Sequence, residues 1–192
     1  AERMQVRREL PDVAIPELPD NPALYTRTLL AAGYFESIGF SDEDLKRASY
    51  YQDNAKRAKI LNQSSDIDGY LKSLNMEINF SSFDKIGRAR IVQLVNKSNQ
   101  FNLTTKRYNE GEIKDFEENK NFYTSQIRLK DKLGDNGMIS VIICKKNFKF
   151  WEIDTWLMSC RVLGRKVEII TLQNIIQNAK NYGADKLIGF YN

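Results

Sequence analysis

The chain has 192 residues, 42% hydrophobic and 28% charged, enough to bury a real core in one large domain or one domain plus an appendage. Its formal charge of +4 suits an acidic protein partner or a phosphorylated ligand and is too small to argue for nucleic acid. With no histidine and two cysteines, Ser-His and Cys-His machinery, the usual zinc ligand and a secreted disulfide scaffold are excluded; no metal is expected, a reducing cytoplasm is, and nothing approaches the roughly 20 apolar residues of a membrane span.

The opening VRRELPDVAIPELPDNP carries Pro11, Pro16, Pro19 and Pro22 and reads as extended, since each proline disfavours helix before it. It looks like the end of something larger. Asn21 then caps a helix with Pro22 at its first position. A second helix is expected from Ser41, with acids in its first turn and cations later, as the helix dipole favours. DIDGY, Asp66 to Tyr70, imitates a phosphatase nucleophile signature, but that chemistry needs its aspartates at the end of a buried strand. A polar LNQSS precedes them, so Asp66 is read as the cap of a third, short helix.

From Met76 the texture changes. MEINFSSF alternates like a strand, and GRARIVQLVNKSNQF places Ile91, Leu94 and Val95 on one helical face. NEGEIKDFEEN is a short acidic helix. FYTSQIRLKDKLGDNG runs as a strand into a Gly-Asp-Asn-Gly turn, which tolerates positive φ. MISVIICKK and FKFWEIDTWLMSC are two more strands. VEIITLQNIIQNAKNYG is amphipathic through Ile169, Leu172, Ile175, Ile176 and Ala179, with Gly183 ending it, and DKLIGFYN is a last strand. The order is β-α-α-β-β-β-α-β, an α/β (α+β) pattern, and the boundary before it falls between Asn62 and Asn75.

Between strand and last helix lies Cys160-Arg161-Val162-Leu163-Gly164-Arg165-Lys166. The first amides of a helix have no intrahelical partner, and with the dipole they attract a pyrophosphate. Gly164 allows close approach to the backbone, while Arg161 and Arg165 add charge. This turn and the order of elements resemble the GNAT acyltransferase superfamily, whose Gln/Arg-x-x-Gly-x-Gly/Ala turn holds the pyrophosphate of acyl-coenzyme A. Lys166 stands where that family has Gly or Ala, and a side chain there narrows the phosphate site.

A longer resemblance runs through RRELPDVAIPELPDNPALYTRTLLAAGYFE, QLVNKSNQFNLTTKRY, LGDNG and WEIDTWLMSCRVLGRKVE. These four blocks are similar, in the same order, to the FkbH-like proteins, which pair a haloacid-dehalogenase-type (HAD) phosphatase domain with a GNAT-like acyltransferase domain. The resemblance implies residues 1–62 as the tail of the phosphatase domain and a helical connector. Residues 63–192 would form a GNAT-like domain with a mixed, mostly antiparallel sheet flanked by helices. It implies transfer of a glyceryl group, derived from 1,3-bisphosphoglycerate, to the phosphopantetheine arm of an acyl carrier protein, with coenzyme A sharing the same arm. The phosphatase nucleophile region is missing and the last elements of a complete GNAT fold do not follow, so a fragment is expected, without phosphatase activity. Its partners would be the carrier protein and its own N-terminal phosphatase domain.

In that setting Arg161, Leu163, Gly164, Arg165 and Lys166 are the candidates for holding phosphate and pantetheine. Cys160 has two readings. It is a small buried hydrophobe at a strand end, or a thiolate favoured by Arg161 and by the helix start, able to carry an acyl group. Glu152 and Asp154 share one strand face and are either surface acids or a general base, the role histidine cannot fill here. Asn99, Gln100, Asn102, Thr104, Thr105 and Arg107 form either a solvated connection or a lining for a hydroxylated acyl group. Two rivals stand beside the enzyme: a non-catalytic GNAT-like module that docks the carrier, and a stand-alone small-molecule N-acetyltransferase.

Overall fold

The computed structural model describes residues 2–10, 13–33, 45–64, 66–98 and 101–190. They fall into two compact units, Ala1–Ala48 and Ser49–Asn192. The boundary expected between Asn62 and Asn75 lies inside the second of these units.

In the first unit α1 spans Glu2–Glu9, so the start of the stretch read as extended is helical. Leu10, the residue before Pro11, is where helix is first disfavoured, and the chain beyond it is irregular to Asp20 where described. Arg3 and Arg7 reach across to Glu17. Asn21 Oδ1 accepts from Ala23 N at 3.0 Å and caps a 3-10 turn, Pro22–Leu24, that leads into α2, Tyr25–Ala31. The expected helix start at Ser41 lies outside the described residues.

α3 (Arg47–Gln63) belongs to the second unit from Ser49 onward, and α4 (Ile67–Ser73) follows. Asp66 caps α4 as expected, its Oδ1 accepting from Gly69 N at 2.7 Å. Then come β1 (Glu77–Ser81), α5 (Arg88–Lys97), α6 (Glu110–Glu118), β2 (Phe122–Asp131), β3 (Gly134–Lys146), β4 (Phe150–Met158), α7 (Val167–Tyr182) and β5 (Lys186–Gly189). This is the β-α-α-β-β-β-α-β order that the periodicities predict. The strands form one sheet in the order β1-β2-β3-β4-β5. The first three pairings are antiparallel and only β4 with β5 is parallel, because a parallel pair needs the crossover that α7 supplies.

Both faces of the sheet are covered. Ile91, Leu94 and Val95 of α5 and Ile113 of α6 pack with Met138, Val141, Ile143 and Leu157. Val167, Ile175 and Ala179 of α7 pack with Ile127, Leu129, Ile139, Ile142 and Ile153. β3 is therefore buried without a break from Asn136 to Cys144, as a central strand between two helical layers should be.

Two details depart from expectation. The β2–β3 hairpin closes at Lys132–Leu133, with Asp131 paired to Gly134, and not over Gly134–Gly137. Asp131 Oδ1 accepts from Leu133 N at 2.9 Å and fixes this tighter turn; Gly137, at φ 67, lies inside β3 beside register shifts around Arg128. On α7 the buried row is Val167, Thr171, Ile175 and Ala179, whereas Ile169, Leu172 and Ile176 are exposed. The helix is rotated from its most apolar face because Val167 and Thr171 enter the core at four-residue spacing. Gly183, at φ 96, ends the helix as expected.

Gly87 gives a test of this packing. A Cβ there would stand 2.3 Å from Gln126 Oε1. Gln126 is 1% exposed, and its Nε2 donates to Ser82 O at 2.9 Å and Asp84 Oδ2 at 2.6 Å, so it cannot swing aside. Gly87→Ala is expected to lower stability by about 1–3 kcal/mol through overpacking, read from urea unfolding. An unchanged midpoint would mean that Gln126 yields.

Candidate functional site

The candidate site is built on the C-terminal half of β4 and the turn that leaves it. β4 carries a register shift: Ile143 of β3 pairs with Thr155 and Cys144 with Ile153, leaving Asp154 as the extra, bulged residue. Bulges re-aim a side chain, and Asp154 makes contacts that plain alternation does not foresee. Its Oδ2 accepts from Tyr108 OH at 2.6 Å and from Thr155 Oγ1 at 3.0 Å, and Lys106 forms an ion pair with Oδ1. Burial first, then the bond to Asp154 and its charge, push the Tyr108 hydroxyl well above the ordinary phenol range, so Tyr108 stays a donor at neutral pH. The Asp154 carboxylate is thus held from three sides. Glu152, half-buried, faces Lys145 on β3 and Ile188 on β5.

Of the expected acyl lining, Asn99 and Gln100 lie outside the described residues. Asn102 and Thr104 are buried, 7% and 6% exposed. Asn102 donates to Ser98 O and accepts from Thr105 N, Thr104 Oγ1 donates to Asp154 O, and Thr105 takes a left-handed φ of 54. Arg107 donates to Ser98 O at 3.1 Å and to Val95 O, closing the C-terminus of α5. The polar character of this connection is thus largely spent on holding the loop to α5 and β4.

After Met158 the chain makes a 3-10 turn, Cys160–Val162. Cys160 is exposed, so it is not the buried strand-end residue of the first reading. It is also not at the helix start, because α7 begins only at Val167. Leu163 N bonds Cys160 O at 3.4 Å and Arg165 N bonds Val162 O at 3.3 Å. Gly164 has φ 78, which favours glycine on backbone grounds, and a Cβ there would meet nothing within 4 Å. The turn is open on that side. Lys166, where the GNAT pattern has a small residue, is left-handed too, at φ 59, and serves as the N-cap of α7.

The cations of the turn have protein partners. Arg161 stacks over Tyr50, its guanidinium 4.2 Å from the ring centre, and its Nε donates to Ser159 Oγ. Lys166 Nζ reaches Asp68 at 2.6 Å. Arg165 is 6% exposed and points inward: it donates to Asp131, Asn54, Asn136 and Arg161 O. The expectation that Arg165 adds charge to a phosphate is corrected, because its donors are consumed in the interior. Glu168, in the first turn of α7, has a buried Oε2 without a hydrogen-bond partner. An anion at this helix start would rest on backbone amides, Arg161 and Lys166.

Sequence reasoning missed Tyr108 and Lys106 as partners of Asp154, although both lie in the polar connection, at an odd spacing across strands. It also missed the Asp131 centre, for which no local pattern exists. A cavity of about 450 Å³ opens at the other end of β4, by Trp151, Tyr123 and Tyr182, and none of the candidate residues lines it. Among the described residues no helix is long and apolar enough to cross a membrane.

No family model matches the chain, and no curated protein does. Solved structures are similar to part of it. One is a ribosomal-protein alanine N-acetyltransferase from Escherichia coli, with a TM-score of 0.43 and 9% identity over 56% of this chain; the match spans 62% of that enzyme, less than two thirds of its length. A GNAT family acetyltransferase from Staphylococcus aureus has a TM-score of 0.45 and 12% identity, over 60% of this chain and 87% of its own. Glucosamine-6-phosphate N-acetyltransferase from Arabidopsis thaliana has a TM-score of 0.46 and 14% identity, over 60% and 83%.

Proposed function

We propose that this chain is an acyltransferase domain that moves a glyceryl-type acyl group onto the phosphopantetheine arm of an acyl carrier protein. One observation carries the reading: along β4 and the turn that follows it lie a bulged, triply held carboxylate in mid-strand, Asp154, then an exposed thiol, Cys160, then an open glycine turn before a helix start. Strand ends that feed a helix N-terminus suit phosphorylated ligands. The four sequence blocks similar to FkbH-like proteins supply the acyl group and the acceptor.

In this reading the backbone of the Gly164 turn, with Leu163, Arg161 and Lys166, holds the phosphate of the arm. The acyl carbon of an acyl phosphate accepts the Cys160 sulfur, forming S–C as C–O breaks and inorganic phosphate leaves. The pantetheine sulfur then takes the acyl group, and as the Cys160 S–C bond breaks the arm's thiol proton passes to the departing Cys160 sulfur. Asp154 receives the thiol proton of the arm if transfer is direct; its Tyr108 and Lys106 contacts hold it in place.

Isothermal titration with free phosphopantetheine tests the phosphate seat. Gly164→Val, a β-branched residue at a left-handed position, and Arg161→Glu should each weaken binding. The arginine change should cost about 1.5–3 kcal/mol for a lost charge-assisted contact. Unchanged affinity in both removes the seat. A second reading, a module that docks the carrier without chemistry, is favoured by Arg165 being turned inward. Carrier binding with no acyl mass transferred would decide for it.

A further inference from the structure

β4 has two edges. β3 holds one of them throughout, from Lys146 with Trp151 to Ser140 with Met158, and Ser159 N still donates to Ile139 O at 2.7 Å. β5 takes the other edge, but only from Phe150 to Ile153. Beyond Ile153 that edge is not bare. Leu103 N donates to Trp156 O at 3.1 Å, and Met158 N donates to Phe101 O at 3.0 Å, flanking an antiparallel bridge of Asn102 with Leu157. Thr104 Oγ1 adds a bond to Asp154 O at 2.8 Å. Alternate residues of an antiparallel strand turn their backbone groups to opposite edges. Trp156 and Met158 therefore meet this segment on the side that β5 has left.

We propose that Phe101–Thr104 is a displaceable strap, lying on the strip of β4 backbone that the pantetheine arm needs, so that arm and strap compete for Trp156 O and Met158 N. This rests on the pantetheine reading above. The arm is an extended chain with two amides and would add to a strand edge as a peptide does.

Three features make the segment a removable cover and not a sixth strand. Among the described residues it pairs through one isolated bridge, where β3 pairs through a ladder. Its other holds are few: Asn102 is clamped between Ser98 O at 3.2 Å and Thr105 N at 3.1 Å, Thr104 bonds Asp154 O, and Phe101 and Leu103 rest only half-buried on the core, Phe101 edge-on to Trp156. Thr105, directly after the strap, is β-branched and left-handed at φ 54, so the closed form carries backbone strain of the kind found at switch regions. A ligand that needs the open form binds with an apparent affinity reduced by the open fraction.

The test uses the whole chain, free phosphopantetheine as probe, and two variants with opposite expected signs. Thr104→Val keeps the shape but removes the bond to Asp154 O; it should favour the open strap and tighten binding about fivefold. Thr105→Asn relieves the left-handed strain, since asparagine tolerates that region; it should hold the strap down and weaken binding about fivefold. In amide exchange by NMR, saturation of the unaltered chain should expose the Leu103 amide while Met158 stays protected. If phosphopantetheine binds but the affinities fall in any other order, the strap is wrong and the pantetheine reading stands. Should none of the three bind, Thr104→Val included, both are overturned.

Discussion

Asp131→Ala is expected to lower the unfolding free energy of the second unit by about 3–5 kcal/mol, the usual consequence of removing one partner of a buried ion pair. The Asp131 side chain is fully buried, and it pairs with two arginines that are nearly so. Arg57 donates to it through Nε at 2.9 Å and Nη2 at 2.8 Å. Arg165 adds a bond at 3.2 Å, Asn136 one at 3.1 Å and Leu133 N one at 2.9 Å. Without the carboxylate two guanidinium groups face each other in the interior. Burial and the charge of Arg57 already pull the Arg165 guanidinium below its ordinary value, and losing Asp131 sharpens that conflict.

The pH dependence follows from the same contacts. Burial alone pushes the Asp131 carboxyl up, but the Arg57 bond, the Leu133 amide, Asn136 and the Arg57 charge outweigh it, and the net position is below the ordinary 3.8. A carboxyl depressed on folding contributes stability that is fully present above its unfolded value and is lost as pH falls through its folded value. The gap between the native chain and Asp131→Ala should therefore be constant from pH 7 down to about 5 and narrow only below about 4. Urea unfolding at pH 7 and at pH 3.5 measures both quantities. A difference under about 1 kcal/mol at pH 7 would show that the arginines find other partners.

This centre marks the limit of what the sequence discloses. Periodicities of 2 and 3.6 residues place every strand and helix from Met76 onward, because an element's burial pattern repeats within itself. The caps at Asp66 and Gly183 are equally local and equally legible. Arg57 and Asp131, by contrast, are 74 positions apart, and no spacing rule joins a helix residue to a hairpin turn. The consequence reached the candidate site itself. Arg165 looks like a phosphate ligand when only its neighbours in the Gly164 turn are considered, and it becomes an interior residue once Asp131 and Asn54 are in reach. The polar run from Asn102 to Arg107 behaves alike: its composition suggests a substrate lining, while its bonds go to α5 and to β4. On α7 the apolar count gave Ile169, Leu172, Ile175, Ile176 and Ala179, of which Ile175 and Ala179 are buried and the other three exposed, because counting cannot see that Thr171 lies at the buried spacing.

Cys160 should alkylate in the native protein while Cys144 does not, by a margin of more than about a thousandfold near pH 8. Cys144 is 0% exposed, and burial first, then the charge of Asp154, push its thiol up to about 12. At pH 8 such a group is thiolate in about one molecule in ten thousand, and the thiolate is the nucleophile. Cys160 stands on the exposed 3-10 turn. The ground for its reactivity is access and not a helix end beside it, since residues 161–166 intervene before α7 and Arg161 is stacked on Tyr50. Intact mass after brief treatment with iodoacetamide should show one adduct, mapped to Cys160, and two adducts in urea. Native labelling should vanish in Cys160→Ser, which leaves the fold unchanged because the site is exposed. Two adducts on the native protein would mean that β3 opens readily and that the core described here is wrong in its centre. The serine variant also decides the chemistry. If acyl groups pass through a thioester on Cys160, the variant retains no acyl mass and transfers none to the carrier. Transfer at the native rate would leave a thiol that is accessible but unused, and direct attack by the arm, with Asp154 as base, would be the route that remains.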